Sequence, residues 1–127
     1  MELVERLEAA EQIRQLVARH AIACDARDLA GLAGLYAPDV REQAMAALTA
    51  ELPAGRTFHL AAEPAITFDG PGAAGGVVVC RVECEAGEEW IVSGIRYEDH
   101  YIQRKGRWYL AARTRHVLYA ADVLARP

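Results

Sequence analysis

Asparagine is absent from this chain of 127 residues, and Lys105 is its only lysine. A mechanism that needs an asparagine carboxamide is therefore excluded, and a Schiff base would have to form on Lys105, which lies in a predicted hairpin turn. The three cysteines, Cys24, Cys80 and Cys84, form no CxxC pair, and their odd number argues against a disulfide framework. Because no two histidines have HxxxH spacing either, no metal site is predicted.

The chain also lacks long apolar runs and an excess of basic residues. No run approaches the ~20 residues of a membrane-spanning helix, and the first residues carry acids where a signal peptide needs basic and then apolar residues. The net charge of −4 provides no basic field that would attract phosphate groups. With 53% hydrophobic residues, the length suits one globular domain. We expect a single cytoplasmic domain over 1–127, without nucleic-acid or membrane partners.

Helical periodicity dominates the first part of the chain. Apolar residues recur at three- and four-residue steps over 2–27, with acids early and arginines later, which is the order that the helix dipole favours. Asp28 is a suitable N-cap for a second helix over 29–36, which Pro38 ends. A third helix is predicted over 42–52.

The pattern then changes to that of strands separated by turn sequences such as PAG, EAGE and RKG. Strands are predicted over 57–60, 65–68, 76–84, 90–103 and 107–119. Lys105-Gly106 predicts an antiparallel hairpin, and helices followed by such a sheet indicate an α+β domain. Strict alternation along the last strand would place Trp108, Leu110, Ala112, Thr114 and His116 on one face, and Tyr109, Ala111, Arg113, Arg115 and Val117 on the other.

Three segments occur in an order and spacing typical of one family: RHAIACDARDLAGLAGLYAPDV, Phe58-His59, and GIRYEDHYIQRKGRWYLAAR. The chain resembles the SnoaL-like branch of the nuclear-transport-factor-2-like (NTF2-like) superfamily over most of its length. The resemblance implies a cone-shaped α+β fold, in which N-terminal helices pack in a curved, mainly antiparallel sheet around an apolar pocket. Relatives usually have a strand after the second helix, whereas Asp39-Val40 runs directly into Arg41. Either a pocket-lining strand is absent or a loop is missing. The carboxylate base that ketosteroid-isomerase relatives carry on that strand therefore has no counterpart in this sequence.

The resemblance also implies three catalytic residues. His20 stands where dehydratase and isomerase relatives have a tyrosine, Asp25 matches an aspartate that some dehydratases direct at a pocket histidine, and His59 matches that histidine. A neutral imidazole oriented by a carboxylate can remove a proton next to a carbonyl and then protonate a leaving hydroxyl. We therefore predict that His20, Asp25 and His59 are catalytic, with no cofactor.

Structural roles for the same residues stay open. A histidine on an apolar helix face is often a core residue, and Asp25 could cap the turn before Asp28. Side chains five residues apart on a straight helix diverge by about 140°, so His20 and Asp25 reach one cavity only if the helix end unwinds.

Five residues are predicted to bind substrate: Glu83, Trp90, Tyr97, Arg113 and Arg115. An arginine fork can hold a carboxylate or a thioester-linked substrate. The alternatives are a solvent-exposed face for at least one arginine and for Glu83, and packing for the aromatic residues.

Taken together, these features predict a cofactor-free dehydratase, isomerase or cyclase for a hydrophobic, polycyclic or aromatic substrate. The alternative is a non-catalytic binder of such molecules, or an assembly module with an exposed apolar sheet face, for which Ile91, Ile95, Tyr97 and Tyr101 are candidates. We also predict a homodimer through the outer face of the sheet, since the last two strands carry apolar residues on both faces.

Overall fold

The computed structural model describes residues 1–124 and shows three helices followed by five strands. The α+β class predicted from the sequence is confirmed. The helices are α1 (Leu3–Ala26), α2 (Leu29–Leu35) and α3 (Arg41–Glu51), and the strands are β1 (Thr57–Ala61), β2 (Ala65–Phe68), β3 (Ala73–Ala86), β4 (Glu89–Arg104) and β5 (Arg107–Leu124). No helix in this part of the chain is long and apolar enough to cross a membrane.

The strands form one antiparallel sheet with the order β1-β3-β4-β5, and β2 pairs with the start of β3. The predicted hairpin is confirmed: Arg104 pairs with Arg107, and Lys105 and Gly106 both have positive φ, as a tight two-residue turn requires. Strand β3 begins at Ala73, earlier than predicted, because β2 and β4 bond to both sides of its glycine-rich start.

Helix α1 packs on the inner, concave face of this sheet. Its buried residues recur at helical spacing: Ala9, Ile13, Leu16, Val17, His20, Ala23 and Cys24. The opposing sheet residues include Val78, Tyr101 and Leu110, all nearly inaccessible to solvent. At the far end of α1, Asp28 caps α2 by accepting a hydrogen bond from the Gly31 amide at 2.9 Å, as predicted. The helices therefore fill one face of the sheet and leave the other bare.

Strand β5 contains two irregularities that overturn the predicted alternation. The pairing shifts beside Ala111 and again beside Leu118, each of which is an extra residue between consecutive pairs with β4. After the first bulge, Arg113 and Arg115 pair with Asp99 and Tyr97, which lie on the inner face. The prediction that the arginines lie on the face opposite Trp108 and Leu110 was wrong, because a one-residue bulge moves every later side chain to the other face.

Helix α3 follows α2 without an intervening strand. The chain makes one bridge between Tyr36 and Leu110, turns, and enters α3 at Arg41. No residue of α3 is buried; its half-buried Met45 and Leu48, and Leu52 directly after its end, pack against Ala23, Cys24 and Leu32. This helix is consequently the most lightly packed of the three.

Candidate functional site

Asp25 and His59 are in direct polar contact on the inner face of the sheet. Asp25 Oδ1 lies 2.6 Å from His59 Nδ1, and its Oδ2 accepts the backbone N–H of His59 at 2.9 Å. An ionised carboxylate can only accept, so Nδ1 of the neutral imidazole carries the proton and Nε2 is left as the basic atom. The His59 side chain is 13% exposed and that of Asp25 is 23% exposed. The pair can thus act as an oriented base that solvent or a ligand can reach.

Two neighbours complete the surroundings of the Asp25 carboxylate. The Thr57 hydroxyl donates to Asp25 Oδ1 at 3.0 Å, and Arg27 Nη1 donates to the Thr57 oxygen at 3.0 Å. Thr57 precedes His59 by two residues on β1, so strand geometry directs both side chains to the same face. Asp25 projects from the last turn of α1 onto this face. The regular helix continues through Ala26, so no unwinding brings Asp25 there.

His20 lies in a separate network one and a half turns earlier on α1. Arg113 Nη1 approaches His20 Nδ1 at 3.3 Å, so Nδ1 accepts and Nε2–H donates to the Tyr36 oxygen at 2.9 Å. Cys24 Sγ lies 3.6 Å from the same Nδ1. Burial and the nearby Arg113 charge lower the pKa of His20 to about 3. His20 therefore stays neutral near pH 7 and is not a proton acceptor of useful strength.

Arg113 is held by a buried ion pair on the inner face. Its Nε and Nη2 donate to the two oxygens of Asp99 at 2.7 and 2.9 Å, and its guanidinium lies 4.1 Å from the centre of the Tyr97 ring. The Tyr101 hydroxyl donates to Asp99 at 2.7 Å. The Asp99 side chain is fully buried and that of Arg113 is 9% exposed. The charge of Arg113 is thus already balanced within the protein.

The remaining predicted binding residues divide between the two faces. Arg115 lies on the inner face beside Tyr97, is exposed, and makes no ion pair or hydrogen bond within 1–124. Glu83 instead lies on the outer face and pairs with Arg81 at 3.1 Å. Trp90 is also on the outer face, where the Arg56 guanidinium lies 5.5 Å from its ring centre. The structure does not bring Glu83 or Trp90 to His59, because strand alternation places both side chains on the outer face and His59 lies on the inner face.

The cysteines near the site are poor nucleophiles. Burial raises the pKa of Cys24 to about 11, and it raises that of Cys80 to about 11. All three cysteines are free. No three His, Cys, Asp or Glu side chains within the described residues are grouped as a metal ion would require. The chemistry that this arrangement offers is therefore that of the His59 and Asp25 pair.

Two clefts of about 350 and 260 Å³ open elsewhere on the surface. The first lies beside Glu5, Glu8 and Gln103, and the second beside Glu11 and Pro64. Neither is lined by His20, Asp25 or His59, so the expected apolar cavity at His59 does not coincide with either cleft. His59 is nevertheless partly exposed, and Arg115 and Val117 are exposed on the same inner face of the sheet.

Sequence reasoning missed four residues of these networks: Arg27, Tyr36, Thr57 and Asp99. Two of them carried a readable signal. Thr57 is two residues from His59, so strand alternation places both on one face. Asp99 likewise alternates with Tyr97 and Tyr101, which places an acid among aromatic residues that face inward. Arg27 and Tyr36 had none, because their contacts depend on how α1, α2 and the loop before β1 come together.

A family model described as a SnoaL-like domain matches residues 5–114. No curated protein has a matching sequence. Among solved structures, the chain is similar to LinA, with a TM-score of 0.89, 20% identity and full coverage of both chains. It is similar to a type 2 hexachlorocyclohexane dehydrochlorinase (LinA), with a TM-score of 0.88 and 18% identity over 98% of this chain and 95% of that one.

A protein from Novosphingobium aromaticivorans, described as a candidate scytalone dehydratase, has a TM-score of 0.82 and 16% identity, with 98% of this chain and 94% of that chain covered. At these identities the structural likenesses show the shared NTF2-like fold, and this bears out the predicted fold family.

Proposed function

Because this chain belongs to the SnoaL-like family, and because Asp25 holds His59 as an oriented base, we propose that it is a cofactor-free enzyme of the dehydratase or isomerase type. The observation that carries the proposal is the 2.6 Å contact between His59 Nδ1 and Asp25 Oδ1, with Nε2 left unprotonated. The relatives named as a dehydrochlorinase and a candidate dehydratase support an elimination, since both names describe the loss of H and a leaving group.

In the proposed reaction His59 Nε2 takes a proton from a carbon of the substrate. The electron pair of that C–H bond forms a C=C bond, and the adjacent carbon–oxygen or carbon–halogen bond breaks with its electron pair going to the leaving group. The Asp25 carboxylate stabilises the imidazolium that forms. The imidazolium then returns its proton to a leaving hydroxide, which departs as water, or to solvent. In an isomerisation the same proton returns to another carbon.

The substrate class is proposed as hydrophobic, aromatic or polycyclic. Supporting features are apolar side chains on the inner face that carries His59: Val82 pairs with His59, and Ile95, Tyr97 and Val117 lie on the same face of the neighbouring strands. Arg115 is the proposed contact for a polar or anionic substituent, because it shares the inner face and its charge is not balanced by a carboxylate within 1–124. Arg113, by contrast, is proposed to shape the wall through Tyr97 and His20 while its charge remains on Asp99.

The test is an elimination assay with hexachlorocyclohexane and with scytalone, together with deuterium incorporation from heavy water. We expect chloride release, loss of water or exchange at carbon with the wild-type protein, and at least about a 10²-fold lower rate with His59→Gln, the typical loss for a general base. His100→Gln is the matched control, since His100 is exposed on the outer face. Equal rates for His59→Gln and wild type would contradict the proposal, as would the absence of both elimination and exchange.

We also propose that the outer face of the sheet joins two copies of the chain. Phe58, Leu60, Val77 and Val79 lie together there and are about half exposed. The earlier candidates Ile95, Tyr97 and Tyr101 are buried on the inner face and cannot serve. The supporting argument is that contiguous exposed apolar residues on a sheet face mark an interaction surface.

Light scattering is expected to give the mass of a dimer at tens of micromolar, and Leu60→Glu is expected to give a monomer. Leu3→Glu changes a leucine on α1 that is at least as exposed as Leu60, and it should leave the dimer intact. A monomeric wild-type protein at this concentration would be evidence against the surface.

A further inference from the structure

The Thr57 hydroxyl stands between a cation and the carboxylate of the proposed base pair. It lies 3.0 Å from Arg27 Nη1 and 3.0 Å from Asp25 Oδ1. A guanidinium has no acceptor, so the Thr57 oxygen must accept from Arg27, and its own proton must point at Asp25. Because Thr57 is buried, water does not compete for its hydroxyl group and the direction of donation is kept. The Thr57 hydroxyl therefore accepts from Arg27 and donates to the Asp25 carboxylate.

Arg27 is itself held by backbone oxygens. Nη1 also donates to the Cys24 carbonyl at 2.6 Å, and Nη2 donates to the carbonyls of Pro53 and Gly55 at 2.8 and 2.7 Å. The four terminal N–H groups thus have four neutral acceptors, and no carboxylate within 1–124 forms an ion pair with this guanidinium. Its positive charge is separated from Asp25 by a single hydroxyl group.

The backbone at Arg27 gives an independent reason to regard this arrangement as selected. Arg27 ends α1 with φ of 55°, in the left-handed region where glycine is the usual residue. A residue with a Cβ atom costs roughly 1 kcal/mol there. From this position the guanidinium contacts Thr57 and the loop before β1. A side chain is therefore kept where glycine would be less strained.

We propose that Thr57 and Arg27 are positioning residues that fix the Asp25 carboxylate and, through it, the protonated ring nitrogen of His59. The inference rests on the proposed role of His59 as the base. Oδ1 of Asp25 receives both the Thr57 hydroxyl and His59 Nδ1–H, and Oδ2 receives the His59 backbone N–H. With Thr57 in place, the carboxylate cannot rotate without losing a hydrogen bond. Without it, Asp25 is bonded only to His59.

The experiment observes the His59 ring by ¹⁵N–¹H NMR and needs no substrate. In the wild-type protein the neutral ring is expected to be protonated at Nδ1, with a slowly exchanging Hδ1 signal, and His59→Gln identifies that signal by its loss. In Thr57→Val, an isosteric change that suits a strand, the tautomer equilibrium is expected to shift about tenfold toward Nε2–H, as for the loss of one charge-assisted hydrogen bond. Thr57→Ser keeps the hydroxyl and should restore the wild-type spectrum.

Arg27→Lys is the second variant, because it keeps the charge but cannot supply four N–H groups in a plane. It is expected to shift the tautomer in the same direction as Thr57→Val. Thr57→Ala serves if Thr57→Val does not fold, and must give the same shift if the hydroxyl is responsible. An unchanged tautomer in the folded Thr57 variants would overturn the inference. Failure of the elimination assay with an intact tautomer effect would instead count only against the proposed function.

Discussion

Replacing Asp25 with asparagine is expected to lower kcat by about 10³- to 10⁴-fold on any substrate that the wild-type protein turns over, which is the loss seen when a histidine base is held in the wrong tautomer. The carboxylate accepts three hydrogen bonds, and asparagine has only one acceptor oxygen. If its NH₂ group faces His59 Nδ1, the ring must carry its proton on Nε2, where it cannot act as a base. If the NH₂ group faces the His59 backbone N–H, two donors oppose each other.

The loss should appear in kcat and leave the protein folded. The opposed or missing hydrogen bonds cost about 1–3 kcal/mol of the free energy of unfolding, less than a typical domain has available. The measurement is steady-state kinetics beside thermal unfolding of the same sample. Asp28→Asn is the matched control, because asparagine is also a good N-cap and Asp28 lies three residues away without contacting His59. A kcat within about tenfold of wild type for Asp25→Asn would rule out the oriented-base mechanism.

Removal of the Asp99 carboxylate is expected to have the largest effect on stability. Asp99→Ala leaves the Arg113 guanidinium buried without a counter-charge and leaves the Tyr101 hydroxyl without its acceptor. Breaking a buried pair in this way typically costs about 3–5 kcal/mol. Urea unfolding followed by circular dichroism should show this as a lower midpoint with little change in slope.

The double variant Asp99→Ala, Arg113→Met distinguishes a charge effect from a cavity effect. Because it removes both charges and fills part of the space with an apolar side chain, it is expected to be more stable than Asp99→Ala alone. Arg104→Met is the control, since Arg104 forms an exposed pair with Asp39 at 3.2 Å and such pairs contribute about 0–1 kcal/mol. A double variant no more stable than Asp99→Ala alone would show that volume, not charge, dominates at this site.

The elements of the fold could be predicted because each carries a local signal. The α1 periodicity, the Asp28 cap and the Lys105-Gly106 turn each depend on residues that are close together in the sequence, and each has the structure expected of it. The β5 bulges could not be predicted. A bulge depends on how two strands pair, and an alternating pattern continues through it without any change in composition.

The candidate site was only partly accessible to the same reasoning. Asp25 and His59 are 34 residues apart, so no periodicity relates them, and they were singled out by the family resemblance. Their contact agrees with the geometry that the resemblance implied, while their catalytic role stays a proposal. The burial of His20 was foreseen as an alternative, and the low pKa that goes with it favours that alternative over catalysis. Burial is the main cause of the low pKa of His20, and the second cause, the Arg113 guanidinium, could not be predicted because the bulge in β5 brings it to the inner face.

The bulge at Ala111 makes β5 sensitive to length as well as to composition. If Ala111 instead paired with His100 in a strand of unchanged length, Ala112 would lie opposite Asp99, Arg113 and Arg115 would turn outward, and Ala112 and Thr114 would turn inward. Asp99 would then face an interior without a cation, although every side chain had been retained. Insertions at the Lys105-Gly106 turn have no such effect, since a hairpin loop can lengthen without changing the phase of the strands. Among relatives, a β5 strand without the bulge should therefore be one residue shorter between the positions of Trp108 and Arg113, so that both side chains stay on the inner face.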